Sequence, residues 1–139
     1  MLERGQKDNM FSTNVYNYIN VLNKASDASW LREQTIANNL ANVNTPGYKR
    51  KDVDFQSALR RELGNMKYIT LDTKVDHVDL DRLDVSTYYD HANYSYRIDR
   101  NNVDVDTENV ELASEKIRYD ALTDSMTQEF NRLRTAMQK

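Results

Sequence analysis

Cysteine is absent from the 139 residues, which excludes disulfides and thiolate metal sites. One proline and three glycines supply too little turn chemistry for a β-sandwich, whose short strands need frequent turns. No run approaches the ~20 consecutive apolar residues of a membrane-spanning helix. Met1 to Met10 is polar and charged and lacks the apolar run of a cleaved secretory leader, which on its own points to the cytoplasm. A one-signed surface is missing too: 19 Lys and Arg stand against 22 Asp and Glu, a net charge of −3. The signs are interspersed, so the basic face of a general nucleic-acid binder is not expected. The chain is long enough for one domain, but a mean hydropathy of −0.85 argues against a core of normal size.

Catalytic patterns are equally thin. There is no phosphate-cradling glycine loop and no nucleophile elbow. The two histidines, His77 and His91, sit among Asp76, Asp79 and Asp90 in an acidic, tyrosine-rich stretch and read as solvated loop residues. Asp99-Arg100-Asn101-Asn102-Val103-Asp104 starts like a calcium loop. It fails at Val103, has no glycine at the sixth position and ends on Val110 where a glutamate is needed. It reads as a turn leading into a helix capped by Asp106. The clusters Lys49-Arg50-Lys51 and Arg60-Arg61 read as solvated loop and helix faces. Enzyme activity, cofactors and metals are not expected.

What is present is helical periodicity at both ends. From about residue 10 to 43, Phe11, Val15, Tyr18, Leu22 and Ala25 recur at three- and four-residue steps. Leu31 or Thr35, then Ile36, Leu40 and Val43, continue the stripe with some drift. From about 107 to 137, Val110, Ala113, Ile117 and Ala121 mark one stripe. Tyr119, Leu122, Met126, Phe130, Leu133 and Met137 mark another. Narrow stripes of this kind suit a coiled-coil seam. Ser12 or Thr13 is a candidate cap for the first helix, and Glu108 and Glu111 suit the start of the last one. Between them, Asp54 to Leu63 reads as a short helix stopped by Gly64-Asn65, and Tyr68 to Leu71 as a weak strand. Ser86 to Arg100 reads as an extended hairpin with Tyr94, Tyr96 and Ile98 on one face, or as disordered until assembled. The expected fold is mainly α: two long terminal helices pairing as a coiled coil, with an irregular central segment that is partly β or disordered. The expected division is 10–45 for helix and turn, 46–105 for the centre and 106–139 for the last helix.

The most specific stretch closes the first helix: Asn38-Asn39-Leu40-Ala41-Asn42-Val43-Asn44-Thr45-Pro46-Gly47-Tyr48. Pro46 presets φ for the first central position of a tight turn, and Gly47 supplies the positive φ that a type II turn needs at the second. The four asparagines around the turn are not ordinary in a helix, because their amides compete with backbone hydrogen bonds.

This run, continued by Lys49-Arg50-Lys51-Asp52-Val53-Asp54-Phe55, resembles the N-terminal signature of bacterial flagellar basal-body rod and hook proteins. NNVDVDTENVELASEKIRYDALTDSM resembles the C-terminal signature of the same group. Together they cover about 30–62 and 98–137, and the short chain with its TPGYKRKDVDF run looks most like the proximal rod members. The resemblance implies a structural subunit that self-assembles through its terminal helices and serves motility. It also implies export through the flagellar type III apparatus, and a place in the basal body outside the inner membrane. Implied partners are other rod subunits, including the FlgC-like protein, and the FliE-like junction protein. Neither nucleic acid nor a small-molecule substrate is implied. Asn38, Asn39, Leu40, Ala41, Asn42, Asn44, Thr45, Pro46, Gly47 and Tyr48 would then be an assembly motif, or simply a helix end, and the two readings coexist. Val15, Leu22, Ile36, Val110, Ile117, Leu122, Met126, Phe130 and Leu133 would form the helix seam. Two alternatives are an FlgC-like sibling and a soluble helical adaptor or export chaperone. An adaptor would expose the same seams but has no reason to carry the Pro-Gly turn.

Overall fold

The computed structural model describes residues 10–64, 70–90 and 98–138. Two long helices dominate it: α1, Met10–Ala41, and α4, Val105–Met137. They run antiparallel, since Ser29 meets Glu115, Arg32 meets Glu111 and Asn39 meets Glu108. The side of α4 turned to α1 follows a strict heptad: Glu108, Leu112, Glu115, Tyr119, Leu122, Met126, Glu129 and Leu133 are all buried or half-buried. On α1 the matching row is Tyr18, Leu22, Ala25, Ser29, Arg32, Ile36 and Asn39. Alternating three- and four-residue steps keep both rows in register along the seam. The drift of the apolar stripe in α1 arises because Ser29, Arg32 and Asn39 occupy seam positions with polar side chains.

The centre of the chain wraps this pair. The strand β1, Lys51–Asp52, follows the turn after α1. Then come α2, Phe55–Gly64, and α3, Leu71–Asp76, followed by a 3-10 turn over Leu80–Leu83. Each start carries an oxygen cap. Asp54 accepts from the Ser57 N–H at 3.0 Å, Thr70 from the Thr73 N–H at 3.5 Å and Asp79 from the Asp81 N–H at 3.1 Å. The strand β2, Tyr88–Tyr89, pairs antiparallel with β1, Lys51 opposite Tyr89 and Asp52 opposite Tyr88. Helix α3 docks on α1: Asn17 donates to Asp76 at 3.1 Å and the Tyr18 hydroxyl to Asp72 at 2.8 Å. Helix α2 leans on the pair and leaves a groove of about 520 Å³ walled by Ala25, Ala28, Phe55, Leu59 and Leu122.

Several expectations are corrected. Asp104, not Asp106, caps α4: its carboxylate accepts from the Asp106 N–H at 3.1 Å and the Thr107 hydroxyl at 2.8 Å. Those hydrogen bonds, led by Thr107, hold its carboxyl below the usual range. Ser12 and Thr13 lie inside α1, so neither caps it. Leu71 opens α3 with Thr70 as its cap, so the end of the Tyr68–Leu71 strand is helical instead; Tyr68 and Ile69 lie outside the described residues. The β pairing of the tyrosine stretch reaches back to β1, and the hairpin expected around Tyr94 and Tyr96 lies, with His91, outside the described residues. Ile98 is fully exposed.

The buried interior is small and mixed. Ile19, Ala28, Ile36, Val53, Ala58, Val75, Leu83 and Val103 are buried, and so are polar residues that include Asn39, Asp52, Asn101, Asn102, Glu108 and Glu115. The expected seam residues Val110, Ile117 and Phe130 lie on the exposed side of α4, at 70%, 71% and 52% exposure. Val110 follows Glu108 by two residues, about 200° around the helix. When Glu108 and Glu115 turn inward to meet arginines, the stripe of Val110, Ala113, Ile117 and Ala121 turns outward. Leu22, Ile36, Leu122, Met126 and Leu133 lie on the inner rows. Val15 is on the first turns of α1, where its side chain lies outside the described residues.

This division is measurable. Ile36→Ala should cost about 2–5 kcal/mol, as buried large-to-small changes do, while Ile117→Ala should stay within about 0.5 kcal/mol as a surface change. Urea unfolding monitored by circular dichroism gives both numbers, and equal costs would place the seam on the wrong face of α4.

Candidate assembly site

The asparagine-rich end of α1 becomes a site because its amides are used in place of backbone. Asn39 is fully buried. Its side-chain oxygen accepts from the Lys51 N–H at 3.0 Å and its amide donates to the Lys51 carbonyl at 2.8 Å. One side chain thus completes both hydrogen bonds of a β1 residue, as a neighbouring strand would. The same amide reaches Glu108 at 3.1 Å, and the Tyr48 hydroxyl donates to its oxygen at 3.2 Å. Asn42 folds back on its own helix, donating to the Asn38 carbonyl at 2.8 Å and accepting from the Thr45 hydroxyl at 3.2 Å.

Helix ends leave carbonyls without partners. Here Asn101, also fully buried, serves them: its amide lies 3.0 Å from the carbonyls of Asn42, Val43 and Thr45. The turn itself is as expected. Gly47 has φ of +73° and the Tyr48 N–H returns to the Thr45 carbonyl at 3.3 Å. A side chain at Gly47 would meet open space, so the glycine is required by its dihedral and not by crowding. The Gly47 N–H donates to the Asp99 carbonyl at 2.9 Å, Lys49 to the Arg100 carbonyl at 2.8 Å and the Arg50 N–H to the Asn102 side chain at 2.8 Å. The segment before α4 is therefore stitched along the turn, residue by residue. Arg100 takes a left-handed φ of 64° within this stitching.

Below the turn lies an ion cluster. Arg50 pairs with Glu108, with Asp52 at 2.9 Å and with Asp90 at 3.3 Å. Arg32 reaches Asp52 at 2.9 Å, Glu111 at 2.8 Å and Glu115 at 2.8 Å. Glu115 also accepts from the Ser29 hydroxyl at 2.6 Å and pairs with Arg118 at 2.9 Å. Arg50 thus corrects the expectation of a solvated basic loop. Burial opposes both guanidinium charges, but the carboxylates outweigh it and hold each above the usual arginine range. Burial also pushes Asp52 up. Hydrogen bonds from Arg32 and the Val53 N–H, with the charge of Arg50, outweigh it and leave the carboxyl below its usual value.

Of the expected motif, Asn39 is buried and Leu40, Asn42 and Tyr48 are half-buried, while Asn38, Ala41, Asn44, Thr45, Pro46 and Gly47 are exposed. Sequence reasoning missed Arg32, Arg50, Asp52, Asn101, Asn102 and Glu115, and gave Glu108 and Glu111 only a helix-dipole role. A signal existed: Glu108 and Glu115 are seven residues apart on the row of Leu122, and Ser29 and Ile36 flank Arg32 on the row of Leu22. Opposite charges at heptad positions of two amphipathic helices point to a polar seam. Among the described residues no cluster of His, Cys, Asp or Glu is placed to hold a metal ion, and His77 is an exposed residue whose Nδ1 lies 2.8 Å from the Thr73 carbonyl.

Two outcomes are expected. Asn39→Ala strips both Lys51 backbone groups of their partner and should cost about 1–3 kcal/mol in urea unfolding, more than the exposed Asn44→Ala. The pH dependence follows from Asp52. Its folded pKa lies below the unfolded value of 3.8, so its contribution is complete above that value and is lost as pH falls through the folded pKa. The urea midpoint should therefore drop between pH 5 and strongly acidic solution (about pH 2–3), and Asp52→Asn should flatten the drop.

The comparisons with known proteins fall on this site. The family model for the flagella basal body rod protein matches residues 32–49, from Arg32 through Asn39 and the turn to Lys49. The flagellar basal body rod protein FlgB of Bacillus subtilis (strain 168) is 37% identical over 129 residues, 92% of this chain and 95% of that protein. FlgB of Borrelia hermsii is 31% identical over 121 residues, 81% and 89% of the two chains. FlgB of Escherichia coli (strain K12) is 32% identical over 100 residues, 63% and 69%. With the paired terminal helices and the asparagine-held turn, they show that this chain belongs to the flagellar basal-body rod proteins, alongside FlgB.

Proposed function

We propose that this rod subunit occupies the proximal part of the rod and joins its neighbours through the outer faces of its paired terminal helices. The observation that carries the reading is the outward stripe of α4. Val110 and Ile117 are more than two-thirds exposed although the inner rows are already engaged. Trp30 on α1 is half exposed as well. Helices that spend their heptads on each other and keep a second apolar stripe outside suit a subunit surrounded by other helices. The neighbours would be further rod subunits, including an FlgC-like protein, and an FliE-like junction protein. The subunit would reach the rod through the flagellar export apparatus. The relatives that span nearly the whole chain are FlgB proteins, which supports this reading over an FlgC-like sibling and over an adaptor or export chaperone.

The test is complementation of a deletion strain. Ile117→Asp should keep helix content and solubility, since the position is exposed, and should abolish swimming and rod formation. Normal swimming with Ile117→Asp would remove the outer stripe from assembly. The turn provides a second comparison. Gly47→Val forces a β-branched residue to positive φ, at about 1–2 kcal/mol or more, whereas Pro46→Ala costs about 0.4–1 kcal/mol through the unfolded chain. Swarm diameter should fall sharply for Gly47→Val and little for Pro46→Ala. Equal diameters would leave the turn without a part in assembly.

A further inference from the structure

We propose that the polar half of the α1–α4 seam is a register lock, which restricts the two helices to one alignment that their apolar half would not enforce. The seam has two unlike parts. Around Leu22, Leu122 and Met126 it is apolar and only half-buried. Around Ser29, Arg32, Glu108 and Glu115 it is polar, and both glutamates are essentially fully buried. An apolar heptad row packs almost as well after sliding by seven residues, because leucine can replace leucine in the same hole. A buried charge has no such freedom, because it loses its partner when it moves.

Each slip can be followed on the residues. In the native alignment Ser29 and Arg32 face Glu115, and Asn39 faces Glu108. If α4 advances one heptad, Arg32 meets Arg118 and Leu122, like charge against like charge, and Arg50 loses Glu108. If α4 retreats one heptad, Asp104 and Glu108 take the places of Glu111 and Glu115 at Arg32, but Arg50 loses Glu108. Glu115 then moves against Leu22 and Ala25, where the nearest cation, Lys24, is already paired with Asp84, and Asn39 meets Asn101 instead of Glu108. Both slips also strip Asn101 from the carbonyls at the end of α1, since its position is tied to the start of α4 through Val103 and Asp104. The alignment matters because the outer stripe of Val110 and Ile117 moves with α4. A slip of seven residues shifts it about 10 Å along the axis relative to the Pro-Gly turn on α1. The inner lock thus sets the spacing of two outward features that a neighbouring subunit would meet together.

The cysteine-free chain allows a direct test with paired cysteines in the full-length protein at low concentration. Ala25→Cys with Leu122→Cys reports the native alignment, since both residues wall the same groove. Ala25→Cys with Glu129→Cys reports one slip and Tyr18→Cys with Leu122→Cys the other. With the native seam, the first pair should oxidise at least about 20-fold faster than either of the others, as expected when slipping strands a buried charge. With Arg32→Leu and Glu115→Leu added, helix content should hold and one slipped pair should come within about threefold of the native pair, because an apolar replacement keeps packing and loses selectivity. Slipped pairs that stay as slow as before in this variant would overturn the lock. Should the double change lose helix content, Glu115→Gln decides. It keeps the shape and leaves Arg32 with Asp52 and Glu111, and it should speed the retreating slip about threefold or more. An unchanged rate would overturn the proposal equally.

Discussion

Where α1, β1 and α4 meet, two guanidinium groups are half withdrawn from water, and neither can give up its proton to make that easier. Their charge has to be answered in place. Arg32 and Arg50 draw Asp52 from β1 and Glu108, Glu111 and Glu115 from α4. The rest of the structure follows. Helix α4 is rotated so that glutamates point inward, and its apolar stripe is left outside. Strand β1 has to lie against α1 so that Asp52 can bridge both arginines. A desolvated cluster of this kind adds little net stability compared with a well-packed apolar seam, while breaking it from one side costs several kcal/mol. It defines one arrangement more than it strengthens it.

The asparagines do a complementary job. A carboxamide offers a donor and an acceptor at the tip of a short arm, the same pair a peptide unit offers. Asn39 uses that pair to stand in for a missing strand beside Lys51, and Asn101 uses its donors on the carbonyls that the end of α1 leaves over. Such residues are poor in the middle of a helix for the same reason that they serve at its end. Two of the asparagines around the turn, Asn39 and Asn101, are thus explained by hydrogen bonds made to distant parts of the chain, while Asn42 serves the local end of the helix.

The long helices, the Pro-Gly turn and the short α2 were readable from the residues because each depends on local pattern: periodicity, caps and one dihedral. The rotation of α4 was not. Periodicity ranked apolar residues highest and so assigned Val110 and Ile117 to the seam, whereas pairing across the seam favours Glu108 and Glu115. That preference exists only once Arg32 and Arg50 are known to be opposite. The same limit hid Asn101, whose neighbours in sequence look like an ordinary turn and whose partners lie more than fifty residues away. The pairing of Tyr88–Tyr89 with Lys51–Asp52 was similarly invisible, because two-residue strands carry almost no alternation to read. The outward stripe was legible as a stripe, and only its direction needed the structure.

Antiparallel helices tied together at the Asn39 and Glu108 end form a closed gate in the chain. The segment between β1 and Asp99 enters and leaves through it, and α3 adds ties to α1 farther along. The entropy of closing such a loop grows only with the logarithm of its length, roughly 0.6 kcal/mol for each doubling. The centre can therefore lengthen, shorten or exchange its contents at small thermodynamic cost, while the paired ends keep one geometry. A design of this sort separates the part of a subunit that must match its neighbours from the part that is free to diversify, and it places the boundary at a handful of amides and carboxylates.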